Sequence, residues 1–219
     1  MPSVPADPAA ARLAEALAAP AASTRQQAAL TAGTHPRDSY VPVLVAQCAI
    51  DTDLTVRETL TWALLRQDPD VSLPALTAEL ASSNPQAQSQ ALHTLSKIGD
   101  GRAWPSITPE LIDNPDLGVA RTAWRAASRL APEGERAALA ETLTTHLGVG
   151  DWPVQRALTD ALLYLGEAAV PALADAAQAP DPHARAHALA TTAMGAEDSL
   201  GFDVAIETAL RQVSNAPRA

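Results

Sequence analysis

The chain has 219 residues, 47% of them apolar but only 3% aromatic, and its fifteen basic and twenty-five acidic side chains leave a net charge of −10. That apolar content excludes a disordered chain, and the acidic balance argues against nucleic acid as a partner. Alanine dominates the apolar fraction, so the core must form from many small side chains. Closely packed helices suit it best, because Ala has the highest helix propensity.

The first twenty residues, MPSVPADPAAARLAEALAAP, lack a basic segment followed by an uninterrupted apolar core, and read as mature protein rather than a signal. Pro8 opens the first helical stretch, and TRQQAALTA from Thr24 the second. The same alternation then recurs along the chain. Pro42 precedes VRETLTWAL from Val56, Pro74 precedes AQSQALHTL from Ala87, and Pro105 precedes VARTAWRAA from Val119. Ala138 takes the proline's place before VQRALTDAL from Val154, and Pro171 precedes ARAHALATT from Ala184. The second members start 32, 31, 32, 35 and 30 residues apart, and the proline landmarks 34, 32, 31, 33 and 33 apart.

A fixed period of this size signals stacked supersecondary units. Proline suits a helix's first turn, where its missing N–H has no partner to lose. The polar breaks IDTD, SSNPQ, DNPD, GVGDWP and APDPH supply N-caps. The pattern predicts six helical hairpins over 8–33, 39–67, 71–98, 103–130, 134–166 and 168–194, with a capping helix over 199–213. Short helices poor in aromatics bury their apolar faces only by stacking on neighbours, so the expected fold is an all-α, right-handed α-solenoid spanning 1–219 as one domain.

Cys48 is the sole cysteine, which excludes an intrachain disulfide and fits a reducing, cytoplasmic setting. It lies in the apolar segment VPVLVAQCAI and is expected to be a small buried side chain. No run of about eighteen uncharged apolar residues occurs, so no membrane span is expected.

The segments DTDLTVRETLTWAL and NPQAQSQALHTLSKIGD resemble HEAT repeats, in particular the short bacterial HEAT-like units of phycobilin lyases, over roughly residues 20–195. The resemblance implies a ladder between neighbouring repeats, built from an Asp in the inter-helix turn and an Arg early in the second helix. Arg25, Arg57 and Arg185 occupy that Arg position, whereas Gln88, Ala120 and Gln155 depart from it. It also implies that the second helices line a concave surface.

On those helices, offsets 0, 4, 7, 8 and 11 form the apolar side, while offsets 3, 6 and 10 form a separate stripe. The stripe contains Thr59, Trp62 and Arg66, then Gln90, His93 and Lys97, then Thr122, Arg125 and Arg129, then Ala157, Asp160 and Tyr164, then His187 and Met194. Segments 54–66, 85–98 and 117–130 carry six basic residues against Glu58 alone. Trp62, Arg66, His93, Lys97, Arg125, Arg129 and Tyr164 are therefore the expected binding residues. For Arg66, Lys97, Arg125 and Arg129 the competing reading is a solvated helix face near a negative C-terminus. Trp124, at offset 5, is expected to pack between repeats.

Of five histidines, only His183 and His187 have a helical ligand spacing, with no acid fixed beside them, so no metal is expected. No phosphate loop, nucleophile elbow or dinucleotide fingerprint occurs, and no catalytic residue or cofactor is expected. The expected function is a non-catalytic binding or scaffold module whose cationic groove takes an acidic peptide, a partner protein or an anionic ligand. The alternatives are a HEAT-like DNA glycosylase using Trp62, Trp124 and Asp160, or a phycobilin-lyase-like protein.

Overall fold

A computed structural model describes residues 7–196 and 200–215. Among these the chain is all-α, with thirteen α-helices joined by short turns. Backbone contacts divide it into two compact units, Met1–Ser106 and Ile107–Ala219, and the boundary falls inside the fourth expected hairpin.

In the first unit, α1 (Pro8–Leu17) pairs with α2 (Ala22–Thr34), α3 (Val41–Ile50) with α4 (Leu54–Leu65), and α5 (Pro69–Glu79) with α6 (Pro85–Ile98). The first helices neighbour one another in one layer, α1 on α3 on α5, and the second helices form the other, α2 on α4 on α6. In the second unit, α7 (Pro109–Ile112) pairs with α8 (Leu117–Leu130), α9 (Arg136–Thr144) with α10 (Trp152–Leu165), and α11 (Val170–Ala176) with α12 (Pro182–Ala196). Here α8, α10 and α12 form the layer of second helices, and α13 (Phe202–Asn215) covers α12. The helical hairpin repeat expected from the period is thus present in both units.

The starts follow from capping chemistry. Asp7, Asp53, Asp68, Asn84, Asp116 and Asp151 each accept a hydrogen bond from a backbone N–H of the first turn that follows, satisfying donors the helix leaves unpaired. Pro8, Pro69, Pro85 and Pro109 occupy first helical positions.

Two landmarks need correction. Pro74 lies inside α5, whose start is Pro69. Pro105 lies in a 3-10 turn, Gly101–Ser106, and the first helix of the fourth hairpin shrinks to the four residues of α7. Pro105 disfavours a helical Trp104, and Pro109 would clash with a helical carbonyl at residue 105, so no helix runs through this stretch. The capping helix begins at Phe202; its expected start, residue 199, lies outside the described residues, as do residues 1–6 of the opening stretch read as mature protein.

The stretch Trp152–Ala176 contains an eighteen-residue window apolar enough to cross a membrane by composition. In the fold it is α10 and α11 separated by a 3-10 turn at Gly166–Ala169, where Gly166 has φ 62°, and half of that window is buried inside the protein.

One rung of the expected ladder forms. Arg25 Nε and Nη2 donate to the two carboxylate oxygens of Asp51 at 2.7 and 2.8 Å, joining the first hairpin to the second. Asp51 is buried and also accepts from Gln47 and from the Asp53 N–H. The other residues of that register brace their own hairpin instead. Arg57 donates to the Asp51 carbonyl, Gln88 to Leu80, Gln155 to Gly150, and Arg185 to Ala179 and Pro180. Arg25 does both, donating also to the Ala19 and Pro20 carbonyls.

In the second unit His187 lies in the core rather than on a groove. Its Nδ1 accepts from the Gly148 N–H at 3.0 Å, so the neutral ring carries its proton on Nε2 and donates to Thr159 Oγ1 at 2.9 Å. The Thr159 hydroxyl then donates to Thr191 Oγ1, and Thr191 donates to the His187 carbonyl. The chain of bonds is complete with a neutral imidazole, and burial pushes the His187 pKa down to about 4.

The folded protein keeps His187 neutral down to about pH 4, whereas an unfolded chain protonates it near 6.5. Stability should therefore fall by about 3 kcal/mol as pH drops from 6.5 to 4, an effect that His187→Gln should remove from the pH profile of urea denaturation. The Arg25 hydrogen bond holds the Asp51 carboxyl at about 2 against 3.8 in the unfolded chain, so its contribution is present above pH 4 and is lost between pH 4 and 2. Asp51→Ala, which leaves Arg25 unpaired, should cost about 3 kcal/mol at pH 7 in the same measurement.

Candidate functional site

The expected binding residues fall into two clusters, one in each unit. In the first, Trp62 and Arg66 come from α4, and His93 and Lys97 from α6. Trp62 is 40% exposed. Its indole lies over Gly33 of α2: a Cβ there would come within 2.7 Å of Trp62 Cε3 and 3.0 Å of the Ala63 Cα. The glycine is what lets the ring lie across the helix contact. Arg66 forms the C-cap of α4, is exposed, and has no ion-pair partner among the described residues.

Lys97 and His93 converge on one carboxylate. Lys97 Nζ donates to Glu58 Oε2 at 3.0 Å, and His93 Nε2 lies 3.3 Å from Glu58 Oε1. Burial raises the Glu58 pKa, but the Lys97 hydrogen bond and the positive charge of His93, Lys97 and Arg57 outweigh it, and the net shift is downward. The α4 and α6 stripes are therefore side by side as expected, with Lys97 and His93 drawn to Glu58 and Arg66 left outside that contact. Glu58 is the one acidic residue of the three basic segments, and its offset from Val56 places it beside the stripe.

The second cluster joins α8 to α10. Arg125, Arg129, Asp160 and Tyr164, over Ala157, line an open cleft of about 330 Å³. The Arg129 guanidinium carbon lies 5.3 Å from the Tyr164 ring centroid, a cation–π distance. Both arginines are exposed, and neither has a carboxylate within 4.0 Å among the described residues. Asp160 shares their cleft without forming an ion pair. Its place on the stripe was visible in the sequence, but its proximity to the two arginines was not.

Elsewhere the structure separates packing from function. Trp124 is buried, donates from Nε1 to the Ile112 carbonyl at 3.0 Å and packs on the His146 ring at 5.3 Å. It is a core residue, unavailable for stacking on a base. Cys48 is buried, and burial pushes its thiol up to about 12. Among the described residues no group of three His, Cys, Asp or Glu side chains is placed to hold a metal. A second cavity, of about 490 Å³ and lined by Leu162, Leu163, Val170, Leu173 and Thr191, carried no sequence signal.

No family model and no curated protein matches the sequence. The solved structures that align with the chain include two helical proteins. Human deoxyhypusine hydroxylase in complex with glycerol aligns at 19% identity over 94% of this chain and 96% of its own, with a TM-score of 0.46. The complex of CpcE and CpcF of phycocyanin lyase from Nostoc sp. PCC7120 aligns at 18% identity over 97% of this chain and 100% of that chain, with a TM-score of 0.38.

Gly33→Ala should displace the Trp62 ring and cost about 1–3 kcal/mol in urea denaturation. In a Trp62→Ala background, where only the 3.0 Å approach to the Ala63 Cα remains, the same substitution should cost less, giving a coupling energy above about 0.5 kcal/mol in the double-mutant cycle.

Proposed function

We propose that the chain is a non-catalytic binding module that captures an acidic segment of a partner protein on its second-helix layer. The observation that carries this reading is the pair Arg125 and Arg129, exposed, one helical turn apart and unpaired among the described residues, beside the half-exposed Tyr164. In a chain of net charge −10, two such cations at one cleft form a local site for an anion. Stacked on Tyr164, Arg129 loses little rotamer freedom on binding. A short acidic segment fits the cleft, whereas a nucleic-acid duplex needs positive charge over a far larger area.

In the first unit, Trp62 and Arg66 offer a similar aromatic and cationic combination, while Glu58 already occupies Lys97 and His93. That cluster is proposed as a separate and weaker anion patch of the first unit. A cytoplasmic location is also part of it, supported by the single cysteine. Neither a metal nor a cofactor enters the reading.

A fluorescein-labelled Glu-rich peptide titrated with the protein tests the proposal. Binding should weaken with added salt, and Arg125→Glu with Arg129→Glu should reduce it at least about a hundredfold. Arg66→Glu should cost only a few-fold. A peptide bound equally well by the double variant would overturn the reading, as would a stronger, equally salt-sensitive shift of a DNA duplex.

A further inference from the structure

The cleft on α8 and α10 holds more positive charge than one carboxylate satisfies. Arg125 and Arg129 are an i, i+4 pair, which places them as neighbours on one helix face. Together they present two full charges, and no described carboxylate lies within ion-pairing distance of either. A carboxylate brings one negative charge and two oxygens, enough for one bidentate guanidinium. A phosphate monoester at neutral pH brings about −1.5 to −2 and three strong acceptor oxygens, enough for both.

Two further features narrow the ligand. The Arg129 guanidinium, lying over Tyr164, keeps its in-plane N–H donors for an oxyanion, the geometry in which Arg exceeds Lys. Asp160 lines the same cleft as a pure acceptor. Beside a bare anion this carboxylate is repulsive, but beside a ligand that also carries an N–H or O–H it is a hydrogen-bond partner. The cleft volume, about 330 Å³, suits a group of small-metabolite size.

Resting on the binding-module reading, we propose that this cleft is a phosphate-monoester site. The phosphate oxygens accept from Arg125 and Arg129, and a donor on the ligand's own scaffold reaches Asp160. That chemistry is shared by a phosphoserine side chain with its backbone N–H and by the phosphate of a small polyol with its hydroxyls. No covalent step is involved.

Calorimetric titration of the full chain with inorganic sulfate, a hexose 6-phosphate, a phosphoserine peptide and its Glu-substituted counterpart tests the proposal. At pH 7.5 a donor-bearing monoester should bind at least about tenfold more tightly than the Glu peptide. It should weaken several-fold at pH 5.5, because the second phosphate proton binds near pH 6. No histidine lines the cleft, so this titration belongs to the ligand. Arg125→Gln and Arg129→Gln should each reduce affinity about tenfold while helicity by circular dichroism stays unchanged.

Asp160→Asn provides a sign test that a loss of fold does not mimic. It should weaken the donor-bearing monoesters and strengthen inorganic sulfate, a dianion with no O–H to donate. The peptide and sugar arms separate the two sources of the phosphate. Equal, pH-independent binding of the Glu and phosphoserine peptides would overturn the phosphate inference and leave the acidic-segment module standing. Absence of binding by all four probes would overturn both, and strengthening of every ligand by Asp160→Asn would overturn the role given to that carboxylate.

Discussion

Second helices of neighbouring hairpins approach through alanines and one glycine. Ala29 and Ala32 on α2, Ala63 on α4 and Ala91 on α6 are buried in the first unit, and Ala123, Ala126 and Ala127 on α8 and Ala161 on α10 in the second, while Ala186 and Ala190 on α12 pack in the same way against α13. Small side chains let helix backbones come close, and an interior so packed tolerates little added volume. The close approach is also what lets stripe residues of successive helices meet. Gln26 reaches Thr59, Lys97 reaches Glu58, and Arg129 lies over Tyr164. Each pair couples one hairpin to the next, so the geometry of any binding surface is inherited from methyl-group packing beneath it.

A second constraint acts at the turns. Each hairpin must satisfy carbonyls in the turn that joins its two helices. Arg57, Gln88, Gln155 and Arg185 do this from equivalent positions early in the second helix. Long donors of different charge serve the same purpose, which explains why Gln replaces Arg in this register without loss of the turn. The Arg25–Asp51 rung is an addition to that common role, made where a buried aspartate ends α3. Gln67 supplies another tie between the first two hairpins, donating to the Ala32 and Ala63 carbonyls and accepting from the Arg37 N–H.

The two cationic clusters differ through one residue. Glu58 gives the first unit an internal counter-charge, and Lys97 and His93 become part of a hairpin-to-hairpin contact. In the second unit Asp160 lies in the cleft but forms no ion pair with its arginines. A charge that is already paired stabilises the fold modestly at an exposed site, whereas an unpaired one is available to a ligand. The proposed recognition chemistry therefore rests on α8 and α10.

The hairpin order was legible because period, caps and proline are local signals. Asp53, Asn84 and Asp116 announce helix starts by bonds made within three residues. The stripe positions of Arg125, Arg129, Asp160 and Tyr164 followed from helical spacing alone, as did the burial of Cys48 and Trp124. What spacing left open was distance between helices. It did not show that Glu58 takes up Lys97, that Gly33 admits the Trp62 ring, or that His187 turns inward to Gly148 and Thr159. Nor did it show that Pro105 and Pro109 together reduce a helix to four residues. The sequence by itself determined which residues share a helix face, because that depends only on a residue's position along its own helix. Only the tertiary structure decided which charges are neutralised and which are left unpaired, because that depends on how closely separate helices approach.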